Sequence, residues 1–534
     1  MSSARAAVLT QILIAVFLSF TFGAGGLHAA LVLSIGQNFK ASTLGVDSDA
    51  LPPDANGAVG PAHFVEFING RFAVFEKSTG RRVKTMADDA FWKASGLPIT
   101  SNLSTSDPRT IFDAASQRWF ALQIDFDNST QVSNRFLLAV STSADPTGKW
   151  TGFGIPADPI DGNFADFPTL GIDADGVYLS GDLFDASDTS IGPTLLVIPK
   201  RDLLAVPPSI AGLTSFGVLS YDVFGEILQP AVTSGAASTG EAVLAVANIN
   251  NNLKSQNTLV KTSVTNAAVA GGAALAGSAT LRVPSYTVPV NPPQPGNVKS
   301  LDDGDARISA SVYRVGDMIY AVHGTEVNNR AAVQWFKIDA VSQSVLQSGR
   351  ITGGSLDLYF ASIAANENGT VVIACNGSSR TVFVSSYAVL GETVNGTLTF
   401  GGLVLLKSGT ASFQDSDPTV STSRWGDYSA TSVDPADPNR FWTIQMIASG
   451  RTTWSTQVTE LIAAPVLLNA SLTGTNLTLV WPAAASNYQL QSSPSLGAGQ
   501  TWTPVSQTTG AVGNQSIVSL PVSEQQGFFR LAQP

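Results

Sequence analysis

Arg424–Trp442 reads R-W-G-D-Y-S-A-T-S-V-D-P-A-D-P-N-R-F-W. A polar approach leads into a strand of small residues, an Asp/Pro/Asn turn breaks it, and an aromatic strand follows. Weaker copies recur at Asp107–Phe120 (D-P-R-T-I-F-D-A-A-S-Q-R-W-F), Asp166–Leu179 (D-F-P-T-L-G-I-D-A-D-G-V-Y-L) and Asp305–Tyr320 (D-A-R-I-S-A-S-V-Y-R-V-G-D-M-I-Y). Tyr359–Ile373 and Phe64–Phe75 are looser versions. A repeat of this kind defines a supersecondary unit that is copied along the chain.

Working outward, units start near Ala58, Thr110, Pro168, Pro230, Arg307, Phe360 and Asp427. Their spacing, roughly 50–75 residues with about four strand-like runs each, is near the length of propeller blades. His63–Phe75 (H-F-V-E-F-I-N-G-R-F-A-V-F) places two strands around an Asn-Gly turn, a strong hairpin signal. Asp88–Ser95 is the one short helical stretch. Strands without amphipathic helices between them exclude a doubly wound α/β fold. The fold expected is all-β: a β-propeller of about seven blades over residues 58–463, then a small β-sandwich over 464–534. The second prediction rests on evenly spaced short strands at 476–482, 487–493, 500–505, 516–521 and 528–531, a fibronectin-like pattern.

Composition narrows function by exclusion. Only 13% of the 534 residues are charged and the net charge is −11. Nucleic acid is therefore not an expected partner, since phosphate binding needs clustered Lys and Arg. Cys375 is the single cysteine and there are three histidines, too few for a His/Cys zinc site or a His-based triad beyond the barest form. Cys375 lies in V-V-I-A-C-N and is expected to be a buried, inert thiol. His323, in Y-A-V-H-G-T-E, is expected to be a satisfied strand histidine.

Met1–Ala30 has Arg5, an apolar run over Ala6–Phe22 and small residues up to His28-Ala29-Ala30. This is the order of a secretory signal cleaved after Ala29 or Ala30. The expectation is a monomeric secreted or periplasmic protein with no membrane span after cleavage. Residues 31–57 read as a lead-in to the first blade.

Four phrases carry a resemblance: P-P-D-A-N-G-A-V-G-P-A-H-F-V (52–65), S-T-S-A-D-P-T-G-K-W (141–150), A-D-F-P-T-L-G-I-D-A-D-G-V-Y-L-S (165–180) and R-W-G-D-Y-S-A-T-S-V-D-P (424–435). Together they resemble a broad group of secreted bacterial propeller-like proteins, many without an assigned activity. The resemblance implies a fold and an export route rather than a reaction. Ser143–Trp150 also resembles the Asp-box of sialidases, with its Gly and Thr displaced, and is read as a structural turn.

Candidate chemistry lies where inner strands begin, at one mouth of the channel. Acids and arginines recur there: Asp54, Asp107 with Arg109, Asp166, Asp305 with Arg307, and Asp427 with Arg424, with Trp425 beside them. Converging carboxylates can hold calcium, act as general acid and base, or bind a sugar or peptide through charge-assisted hydrogen bonds. The three arginines together could clamp a carboxylate, as in sialidase sites. Equally, Asp caps turns and Asp–Arg pairs tie blades together. Two functions follow: an exported binding propeller for carbohydrate, peptide or an envelope protein, or a glycoside hydrolase or lyase acting at the acidic mouth.

Overall fold

The computed structural model describes residues 13–18 and 30–532, apart from short stretches at 128, 131, 235–239, 248–254, 297, 416–418, 486–487, 497–499, 514 and 522–525. Most of the leader lies outside the described residues. Within it, Leu13–Leu18 forms a strand parallel to Gln526–Ala532. The chain divides into two compact units, one built mainly from residues 35–461 and one mainly from 462–534 with the N-terminal residues.

The larger unit is a β-propeller. Among the described residues it has seven blades, each with at least four strands. The first is Asn56–Val59, His63–Ile68, Arg71–Glu76 and Arg82–Met86. The inner strands of the next five are Leu103–Asp113, Phe164–Ile172, Glu226–Ser234, Val312–Val315 and Asp357–Ala365. The seventh starts with Ala430–Val433, continues through Arg440–Gly450 and Thr453–Pro465, and takes Leu31–Thr43 as its outer strand. The lead-in of the sequence reading thus contains a blade strand. It closes the ring by joining the two ends of the propeller sequence in one sheet. Inner strands of successive blades touch around the whole circuit, including the last with the first.

Apolar clusters fill the spaces between blades. Phe67, Phe72, Phe91, Trp92, Trp119 and Trp150 pack between the first and second. Leu122, Leu138, Leu179 and Leu196 do so between the second and third. Blades are covered on both faces, which is why their strands read as apolar runs rather than clean alternation. Trp119 is completely buried, and truncating such a side chain to Ala costs about 3–5 kcal/mol.

Three of the recurring phrases, and the start of the fourth blade, hold a β-bulge. Pairing of the inner strand shifts register between Ser106 and Arg109, Asp166 and Thr169, Glu226 and Gln229, and Tyr359 and Ser362. Each gap holds a residue with positive φ: Asp107 (60°), Phe167 (52°), Ile227 (56°) and Phe360 (47°). None is glycine, so each left-handed residue costs about 1 kcal/mol or more. A bulge re-aims the residues around it, and these bulges serve as inter-blade straps. The residue after three of them donates to a carbonyl in the next blade: Arg109 Nε to Pro168 O (2.9 Å), Thr169 Oγ1 to Leu228 O (2.6 Å) and Gln229 Nε2 to Ile308 O (2.8 Å).

The smaller unit is a β-sandwich. One sheet contains Asn469–Thr473, Asn476–Pro482, Gln515–Pro521 and Gly510–Val512. The other contains Leu13–Leu18, Gln526–Ala532, Gln489–Ser493 and Thr503–Pro504. Leu477, Leu479, Trp481, Leu490, Val518 and Leu531 form the core between them.

Candidate functional site: the acidic mouth of the propeller channel

Acids that precede or enter the inner strands of neighbouring blades meet at this mouth. Asp54 and Asp107 both have positive φ, at 47° and 60°, and this turns their carboxylates toward Asp427. Oxygens of Asp54, Asp107 and Asp427 lie within 4.8 Å of one another. Asp166, Arg424 and Asp427 line two cavities at this mouth. The first cavity, of about 190 Å³, also meets Asp303, Asp305, Arg307 and His323, and the second meets Asp54 and Asp107. The acids predicted to converge therefore do so.

Their environments differ. Arg307 grips Asp305 with Nε at 2.9 and 3.0 Å from its two oxygens and Nη2 at 2.7 Å. Burial pushes the Asp305 carboxyl up, but Arg307 outweighs it and holds the acid below its ordinary value. Arg424 Nη2 pairs with Asp427 at 2.6 Å. Asp54 has no such cation in contact. It accepts from Asn69 Nδ2 (2.8 Å) and from the Asp427 backbone N–H (2.9 Å). Burial and the charges of Asp427 and Asp107 hold its carboxyl well above the ordinary range. Asp107 accepts from Ser106 Oγ at 2.8 Å, and burial, with Asp166 and Asp427, pushes it up to about 7. Burial of a carboxylate disfavours its charge, and like charges nearby add to that cost.

Arg109 does not face an incoming ligand. It is only 3% exposed. Besides its strap to Pro168 it donates from Nη1 to Ser309 O at 2.9 Å. Its guanidinium lies 3.4 Å from the Tyr428 ring centroid and 5.1 Å from that of Phe167. Arg307 stacks on Phe167 at 4.6 Å. The predicted three-arginine clamp is thus two arginines at the mouth and one strap beneath them. Trp425 is fully buried. Its Nε1 donates to Asn376 Oδ1 at 2.9 Å and its ring packs edge-on against Phe413, so it offers no face to the channel.

Sequence reasoning missed Asp303. It is 4% exposed, lines the smaller cavity, and neither oxygen has a hydrogen-bond partner within distance. Burial, then the charge of Asp302, pushes it up to about 8. Its place in L-D-D-G-D (301–305) looks like a solvated turn. His323, expected to be satisfied, is so on one side only: Nδ1 faces Ala306 O at 2.9 Å, and buried Nε2 has no partner. Burial lowers it to about 4, so the ring is neutral and Nε2 is a bare acceptor.

Two other motifs are structural. Asp145 accepts from Thr147 N (2.9 Å) and Thr147 Oγ1 (2.7 Å), and Trp150 Nε1 donates to Pro146 O (3.0 Å). That is the turn expected of the Asp-box-like stretch. Cys375 is buried, and burial pushes its thiol up to about 12.

No family model matches the chain, and no curated protein does. Among solved structures, extracellular domains 1–2 of Drosophila Semaphorin 1b align over 81% of this chain and 88% of that one, at 8% identity and a TM-score of 0.37. A protein of unknown function from Dyadobacter fermentans aligns over 68% of this chain and 96% of that one, at 12% identity and 0.37. The Dos1 propeller aligns over 80% and 95%, at 8% identity and 0.35. These likenesses say nothing of what this chain binds; what its own sheets establish is a β-propeller.

Proposed function

We propose that this chain is a binding propeller that works outside the cytoplasm and takes a polar ligand, carbohydrate, peptide or the surface of an envelope protein, at its acidic mouth. The observation that carries the reading is the meeting of Asp54, Asp107 and Asp427 within 4.8 Å. Two of these acids are buried without a contacting cation, an arrangement that ligand or ion binding would relieve. Arg307 and Arg424 hold Asp305 and Asp427 in one orientation, which suits fixed recognition better than proton transfer. The leader-like N-terminus supports the location. The clustered oxygens are close enough to share a divalent cation, so calcium belongs in the test.

The test is a glycan and peptide array probed with the full chain, in calcium and in chelator, beside Asp427→Asn. A ligand captured by the native protein and lost by the variant supports the reading. Capture that is indifferent to the variant sinks it.

One observation favours glycoside hydrolysis as a second reading. Retaining glycosidases place two carboxyl groups about 5 Å apart, and the oxygens of the three acids above lie within 4.8 Å of one another, close enough for two of them to be tested as such a pair. Release of a fluorogenic aglycone from any of a panel of glycosides, abolished in Asp107→Asn, would replace binding with catalysis.

A further inference from the structure

The smaller mouth cavity holds two acceptors with nothing to accept from. Asp303 is 4% exposed with both oxygens unpartnered, the only backbone group leaning on it being its own N–H. His323 is 2% exposed, and its ring is clamped between Tyr286, edge-on at 4.6 Å, and Phe336, stacked at 5.4 Å. With Nδ1 committed to Ala306 O, Nε2 is left bare on the cavity wall. Buried polar atoms without partners are rare and costly. Here the two stand in one cavity, with the unpartnered Tyr359 hydroxyl on the same lining, and both acceptors lack a donor.

The occupant must therefore bring N–H or O–H groups, and the charges say which. Asp305 and Asp427 are neutralised by Arg307 and Arg424. Asp166 and Asp303 line the same cavity without an ion-pair partner within 4 Å among the described residues. Four acids and two arginines line the cavity, so a cation with directed donors, which would draw the proton off Asp303, fits better than a neutral hydroxyl. A bare metal ion fits less well: the acids close enough to share one are Asp54, Asp107 and Asp427, not the group around Asp303. A volume of about 190 Å³ is below the roughly 300–1,000 Å³ of pockets that enclose whole drug-sized ligands. It suits one end group.

We infer that this cavity binds a primary ammonium group, with Asp303 as its counter-ion and His323 Nε2 as a second acceptor. The ammonium group could be carried by an amino sugar or by an alkylamine such as a lysine side chain. The inference rests on the binding reading above and names the chemistry of the same mouth.

Isothermal titration calorimetry of the full chain with glucosamine, glucose, N-acetylglucosamine and cadaverine tests it. Glucosamine or cadaverine should bind at least tenfold more tightly than glucose or N-acetylglucosamine. Glucosamine alone identifies the amino sugar as source, and cadaverine alone the alkylamine. Asp303→Asn, which keeps shape and removes charge, should weaken that binding tenfold or more. His323→Phe keeps the ring stack and should weaken it at least threefold, so it carries the test if Asp303→Asn does not fold. Equal binding of glucosamine and glucose, binding unchanged in both variants, or no binding by either amine overturns the inference. If the amines fail while an array ligand is still lost in Asp427→Asn, the inference falls and the binding reading stands.

Discussion

The two ends of the propeller channel carry the same residue types in opposite states. At the far mouth, where inner strands end, Asp113, Asp434 and Asp173 each have donors on their carboxylates. Asp113 pairs with Lys200 at 2.6 Å and accepts from Ser116 N at 3.0 Å. Asp434 pairs with Lys77 at 2.8 Å and accepts from Trp442 Nε1 (3.1 Å) and Ala436 N (2.9 Å). Burial raises Asp173, yet it accepts from Asp175 N, Gly176 N and Tyr178 Oη at 2.8, 2.7 and 3.0 Å. At the near mouth Asp54 and Asp107 crowd Asp427, and Asp303 has no side-chain or cationic partner among the described residues. An aspartate that caps a turn serves the fold. One that is buried among like charges without a cation opposes it, and such a group lining a cavity points to a ligand.

The difference can be broken most forcefully at the far mouth. Asp434→Ala leaves Lys77 and Trp442 Nε1 without their acceptor, and removing one partner of a buried pair costs about 3–5 kcal/mol. Urea unfolding measures it. If Asp434→Ala melts like the native protein, the far mouth is no better braced than the near one.

The strap beneath the near mouth comes next. Arg109→Ala strips donors from Pro168 O and Ser309 O and removes the cation from the Tyr428 face, an expected loss of about 2–3 kcal/mol. Array binding should survive in the fraction that folds, since Arg109 supports the mouth from below. Loss of binding at full stability would return Arg109 to the ligand.

The smallest effect belongs to the exposed turn. Asp145 has Thr147 N and Oγ1 on one oxygen, and Asp145→Asn keeps a carbonyl oxygen there, so about 0.5 kcal/mol or less is expected by urea melt. A larger loss would mean that the turn does more than close a hairpin.

Much of the architecture was legible in the sequence because the turn chemistry is explicit. Asn69-Gly70, Asp175-Gly176 and the Asp/Pro/Asn run at 434–439 mark hairpins whatever surrounds them. The return of Asp at five of the unit starts likewise marked the residues that meet at one mouth. The bulges were not legible. Their left-handed residues are Asp, Phe and Ile, which carry no glycine signal, and tertiary straps hold them in place. Asp303 was missed for a related reason: L-D-D-G-D has the composition of a solvated loop, and only the packing of neighbouring blades buries it. Trp425 was misjudged because proximity in sequence to Asp427 says nothing of side-chain direction. Its neighbour's carboxylate faces the channel while its own indole fills the core.

The central claim is that the near-mouth acids are held in the folded protein against an electrostatic cost. The most direct test is unfolding free energy measured from pH 4 to pH 8 for the native chain and for Asp54→Asn/Asp107→Asn. Carboxyls raised to about 7 for Asp107 and well above the ordinary value for Asp54 stay protonated in the folded state where the unfolded chain, titrating near 4, has already lost its protons. Stability should therefore fall as pH rises through that window, by about 4 kcal/mol from Asp107 alone, and the double variant should lose the share of the fall that Asp54 and Asp107 contribute. Parallel curves for the two proteins would contradict the account and leave the acidic mouth as bracing of the same kind as the far one.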